Sequence, residues 1–211
     1  IDVDGPTHRV LAQVNQSDLA FVRERARAID AEVWLADGAL HVQSRASRRA
    51  GEVTITYGRR LREFSVLADL SGQCTGFAVG GWDVSAKSGI EQTAETGAIA
   101  GELAAGDTSG AEVLRKVLGT RRQSVVHTMP VNDDEARYMA DSRFRTSVRR
   151  FVTGTGVAEG DARITVGTKL RLEGLGRLFD GAYDVVETKH SFDPVNGFRT
   201  QFRVERPGVG A

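Results

Sequence analysis

The chain has 211 residues, 40% hydrophobic and 27% charged, enough apolar material for one large domain or two small ones and too much for a disordered polyelectrolyte. Lys plus Arg and Asp plus Glu both total 28, so the formal net charge is zero, which argues against binding nucleic acid through its backbone or anionic membrane surfaces at large. The single cysteine, Cys74, excludes an intrachain disulfide and a cysteine-rich zinc site, and no run of about 18 apolar residues marks a membrane span.

The opening, IDVDGPTHRV, has neither an initiator Met nor a signal-like apolar stretch, so a trimmed piece of a longer protein is expected. Val10 to Asn15 reads as a short strand. Ser17 is placed to cap a helix over 17–29, with Leu19, Val22, Ala26 and Ile29 at helical spacing. Glu32 to Leu35 and Ala39 to Gln43 flank Asp37-Gly38, a strong hairpin signal. Ser44 to Gly51 is a polar, basic linker. Strands are then expected over 53–57, 61–70 and 75–82, with the glycines of the last marking a bulge or a close backbone approach.

From 84 to 110 small residues dominate, and no element is assigned. Ser109 and Glu112 form a capping-box pattern ahead of a short helix ending at Gly119. Ser124 to Met129 reads as a strand stopped by Pro130. Asn132 and Glu135 form a second cap-like pair, opening an arginine-rich helix over 133–150 whose apolar stripe is Tyr138, Met139, Phe144 and Val148. Its arginines are expected on a solvated or interface face. The rest is β, with strands near 151–158, 168–173, 182–191 and 198–205, and a turn at Asp193-Pro194 and Asn196-Gly197 before Phe198.

The fold class expected is therefore α+β, mostly β. Residues 1–49 form an N-terminal α/β unit. Residues 50–211 form a β-barrel-like module with helices inserted near 109–119 and 132–150.

Chemistry-bearing patterns are sparse. His8, His41, His127 and His190 have no second histidine at helical spacing and no nearby cysteine, so no metal residue is assigned. Gly154-Thr155-Gly156 with Gly160 has the wrong spacing for a dinucleotide loop and leads into strands rather than a helix. No nucleophile elbow is present. Asp133, Asp134 and Glu135 fall at a helix N-terminus, where acids offset the helix dipole. Cys74 reads as a packed apolar residue. No catalytic, cofactor-binding or metal residue is named, and no cofactor is expected.

Several stretches, in order, resemble one family. Asn15 to Arg27, with Ser17-Asp18 and Phe21, looks like the "SD-x-x-F" helix of phage late control protein D and the related hubs of contractile injection systems. The hairpin at Glu32–Leu35 and Gly38–Val42 is similar to theirs. Gly80-Gly81-Trp82-Asp83 resembles their glycine-tryptophan-aspartate turn. So do Gly154-Thr155-Gly156, Gly160-Asp161, Val166-Gly167-Thr168, Gly181-Ala182-Tyr183, His190–Asp193 and Gly197–Thr200 their closing β region. The base of type VI secretion spikes is a more distant relative.

The resemblance implies a structural baseplate hub subunit that adapts the tail tube to the central spike, with no enzymatic activity. Its implied partners are identical subunits (a homotrimer for the full-length protein), spike protein and tail tube protein, with no membrane and no specific nucleic acid. It implies synthesis in the cytoplasm and assembly into a virion-like particle. Trp82 would pack at a turn. Family members extend further at the N-terminus, so the 1–49 unit is expected to be incomplete. Two alternatives stand beside this reading: a tail-associated cell-wall hydrolase and a free-standing β-rich binding module.

Overall fold

A computed structural model describes residues 1–8, 10–48, 50–125 and 128–210. In chain order the elements begin with α1 (Asp18–Ala28), β1 (Ala31–Ala36), β2 (Ala39–Ser44), β3 (Glu52–Thr56), β4 (Leu61–Ala68), β5 (Gly76–Asp83) and β6 (Ser88–Ala94). A 3-10 helix (Thr96–Glu102), β7 (Thr108–Ser109), α2 (Gly110–Leu118), β8 (Arg122–Val125) and α3 (Asp133–Val148) follow. β9 (Val152–Glu159), β10 (Lys169–Glu173), β11 (Gly181–Asp193), β12 (Gly197–Arg206) and β13 (Gly208–Val209) complete them. The class is α+β and mostly β, as expected.

The chain divides into two compact units, each assembled from separated segments. The first is Ile1–Arg48, Cys74–Ala100 and Leu118–Thr146; the second is Arg49–Gln73, Gly101–Val117 and Ser147–Ala211.

In the first unit, Ser17 caps α1 by accepting from the Ala20 amide at 3.3 Å. β1 and β2 pair as a hairpin across Asp37 and Gly38, both at positive φ, the geometry a two-residue connection demands. Ala26, Ala31 and Val42 form a small core there, with Val22, Ile29 and Val33 packed against it. A separate three-stranded sheet has the order β6-β5-β8, with β8 parallel to β5. Val79, Ile90 and Ala94 bury its inner face. Gly81 is a close approach, because a Cβ there would sit 2.8 Å from Pro130 Cγ.

Three expectations change here. Val10 to Asn15 is not a strand: Val10 is 83% exposed, so the alternation buries nothing. β6 occupies a stretch that gave no strand signal; Ile90 and Ala94 are its buried residues, and β5 supplies the pairing. β8 runs over 122–125 rather than 124–129; Val126 and His127 lie outside the described residues, and Thr128 and Met129 are in no strand.

The second unit is a curled half-barrel sheet of order β3-β10-β11-β12-β9-β4. β10 runs parallel to β3, and the remaining pairs are antiparallel. Alternate residues turn inward, among them Ile55, Leu61, Leu170, Leu172, Tyr183, Phe202 and Val204. Ser109 caps α2 as its spacing predicts: Ser109 Oγ accepts from the Glu112 amide at 3.2 Å, and Glu112 accepts in return from the Ser109 amide at 3.0 Å. Val113 of that helix packs on the sheet core.

Candidate functional site

Four strands of the half-barrel, β4, β9, β12 and β11, lie side by side, and their registers align two rows of outward-facing side chains. One row runs Glu63, Val157, Gln201, Lys189; the other runs Ser65, Thr155, Arg203, Glu187. These rows line a groove of about 680 Å³. Arg203 and Glu187 are cross-strand partners, 3.6 Å apart and largely solvated. Seven of the eight side chains in these rows are polar or charged, with both signs present, and all stand on paired strands.

Glycines in and just after β9 leave room for aromatic rings. On the opposite side of β9, a Cβ at Gly154 would overlap the Phe64 ring, and one at Gly156 would lie 2.5 Å from Phe202 Cζ. At Gly160 it would overlap the Phe198 ring. The glycine-rich run that superficially suggests a phosphate loop is thus the floor on which aromatic rings cross β9.

The unit's charged interior is structural. Arg149 is 2% exposed and forks onto Glu102 through Nε at 2.7 Å and Nη2 at 2.5 Å. Arg206 reaches Asp107 at 2.7 Å and donates to the Asp180 carbonyl. Burial pushes the Tyr183 phenol up, and its hydroxyl donates to the Phe179 carbonyl. Asp161 accepts from Arg163 at 2.7 Å and Arg60 at 2.5 Å. The Arg163 bond does most to hold its carboxyl well below the usual range, and Arg60 adds to it against the cost of burial. The Asp161 amide donates to the buried Thr200 hydroxyl, which lies 3.0 Å from His190 Nδ1. Hydrogen bonds from Ser71 lower Asp69, and those from Asn196 lower Asp193, both in tight turns. None of these displaced groups lines the groove.

The residues singled out in sequence are scattered. His41 stacks on Trp34 with centroids 5.2 Å apart, and His8 lies 3.9 Å from Glu135. His127 is outside the described residues. Cys74 is fully buried. Asp133, Asp134 and Glu135 occupy the first turn of α3, where Asn132 Oδ1 caps the Glu135 amide at 2.8 Å. Among the described residues, no group of three His, Cys, Asp or Glu is arranged to hold a metal.

Two expectations need correction. Trp82 lies within β5, not at a turn, and is 50% exposed. The arginines of the α3 region are not all on a wet face: Arg149 is buried on Glu102, and Arg145 donates to the Ala98 carbonyl at 2.8 Å. The groove escaped the sequence reading because its residues come from four strands and meet only through register.

A family model described as the Alg8 N-terminal domain matches residues 1–193. The chain belongs to that family. No curated protein matches the sequence. Among solved structures, the fold of this chain is similar to the 43 kDa tail protein of prophage MuSo2 from Shewanella oneidensis, at TM-score 0.66 and 14% identity over 98% of this chain. It is equally similar to a tail protein from Neisseria meningitidis MC58, at TM-score 0.66 and 11% identity over 95% of this chain. The chain spans 57% and 58% of those two proteins. At such identities the likeness is one of fold. No described helix is long and apolar enough to cross a membrane.

Proposed function

We propose that this chain is a structural part of a phage tail or tail-like injection particle, acting at the central baseplate hub in the manner of late control protein D, and not an enzyme. The observation that carries the reading is the fold: nearly the whole chain, not a fragment of it, superposes on tail proteins. The open polar sheet face supports the same view. A wall of eight side chains on paired strands, with an exposed Arg203–Glu187 pair, suits recognition of another protein surface. In this reading the full-length protein forms a homotrimer that joins the tail tube to the spike within a contractile particle.

Light scattering on the full-length protein tests it, with Glu187→Lys alongside. A trimer whose population falls in the variant, while the fold of each subunit is retained, is the expected result. A full-length protein that stays monomeric at its highest soluble concentration overturns the self-assembling hub.

A further inference from the structure

Taken as a protein-recognition face, the sheet groove carries a charge pattern that narrows what can lie in it. In its second row the charges answer each other, with Arg203 Nε 3.6 Å from a Glu187 carboxylate oxygen. In its first row they do not. Glu63 stands at the β4 end and Lys189 at the β11 end, and among the described residues neither side chain has a hydrogen bond or an ion pair. Between them lie Val157, half-buried and the one apolar member of the row, and Gln201. Three interstrand spacings separate the two ends, about 14 Å at roughly 4.8 Å each.

The volume favours one kind of occupant. A groove of about 680 Å³ spread along about 14 Å has a cross-section of about 50 Å². An extended strand fills about 4.8 by 10 Å, close to that figure. A helix with its side chains is about 10–12 Å across and needs roughly 80 Å² or more. In an extended chain, residues four apart share a face and stand about 13–14 Å from one another, which matches the span from Glu63 to Lys189. The residue midway between them then falls over Val157 and the stem of Gln201. We propose that the groove receives an extended segment of a partner protein laid across its four strands, with a basic residue at Glu63, an apolar residue over Val157 two positions along, and an acidic residue at Lys189 two positions further. This partner rests on the groove being a recognition face; it does not require the chain to form a trimer.

The probes are two peptides of one composition, acetyl-Lys-Ser-Val-Ser-Asp-amide, with its charges four apart, and acetyl-Ser-Lys-Val-Asp-Ser-amide, with them two apart. Binding is read by amide chemical shifts on the folded chain. The first peptide is expected to bind about fivefold more tightly, a ratio suited to two partly solvated ion pairs, with shifts centred on Thr155, Val157 and Gln201. In the double variant Glu63→Gln, Lys189→Gln, both positions being exposed, the two peptides should bind alike while the spectrum stays that of the folded protein. Equal binding of the two peptides to the wild type overturns the proposal, as does a preference that survives in the double variant. Absence of shifts at the groove residues with millimolar peptide overturns it too. The hub reading is decided separately by the mass of the full-length protein: a trimer without the spacing preference sinks this partner alone, and a monomer with it sinks the self-assembling hub alone.

Discussion

Gly156 gives the sharpest test of how the half-barrel is built. In Gly156→Ala the new methyl would arrive 2.5 Å from Phe202 Cζ, 2.9 Å from Phe202 Cε2 and 3.0 Å from the Glu63 carbonyl oxygen. Phe202 is buried among the core residues of the sheet and has little room to retreat. Overpacking of this kind costs about 1–3 kcal/mol. At roughly 2–4 °C per kcal/mol for a chain of this size, Tm should fall by about 4–8 °C for a cost near 2 kcal/mol. Phe202→Leu removes the two ring atoms that collide, at the expense of a small cavity of its own. The double variant should therefore be more stable than the sum of the two single losses implies, by about 1 kcal/mol of coupling. Calorimetry is the suitable assay, because both tryptophans, Trp34 and Trp82, lie in the other unit and their fluorescence would report on the wrong part. A neutral Gly156→Ala, or strictly additive losses, would refute the idea that ring packing selects glycine in β9.

Three further outcomes follow from the same packing. Glu102→Ala leaves the buried Arg149 guanidinium without its carboxylate and should cost about 3 kcal/mol by urea denaturation, with Arg149→Met recovering much of the loss in the double variant. Ser109→Ala removes one half of a reciprocal cap and should cost about 1 kcal/mol in the same assay. Asp161 binds its proton more weakly when folded than at the unfolded value near 3.9, so the stability it supplies is complete above that pH and drains away as pH falls below it; Asp161→Asn should flatten the acid limb of the stability–pH curve in that region.

Local signals carried the regular elements. Ser17, Ser109 and Asn132 announce the starts of the α-helices α1, α2 and α3 because a cap is a contact between residues three apart. Asp37-Gly38 announces the first hairpin because only such residues tolerate two successive positive φ angles. The turn closed by Asp193 and Gly197 is legible for a similar reason: the Asp193 carboxylate accepts from the amides of Val195 and Asn196, and Gly197 takes a positive φ. β9 alternates in burial along its length because one face of the half-barrel is buried and the other wet.

What the tertiary structure alone decided is whatever depends on partners far along the chain. β6 is a strand because β5 pairs with it, although only Ile90 and Ala94 are buried. Val10 to Asn15 alternates as a strand does, yet no strand pairs with it. Arg149 looks like one more surface arginine until Glu102, 47 residues earlier, meets it in the interior. The glycines of β9 declare only freedom of backbone; that the freedom serves Phe64 and Phe202 is set by sheet register. The groove and the interleaving of segments into two units belong to the same class. A sequence states its short-range chemistry residue by residue, whereas a surface assembled from distant strands exists only once their hydrogen bonds fix which side chains stand next to one another.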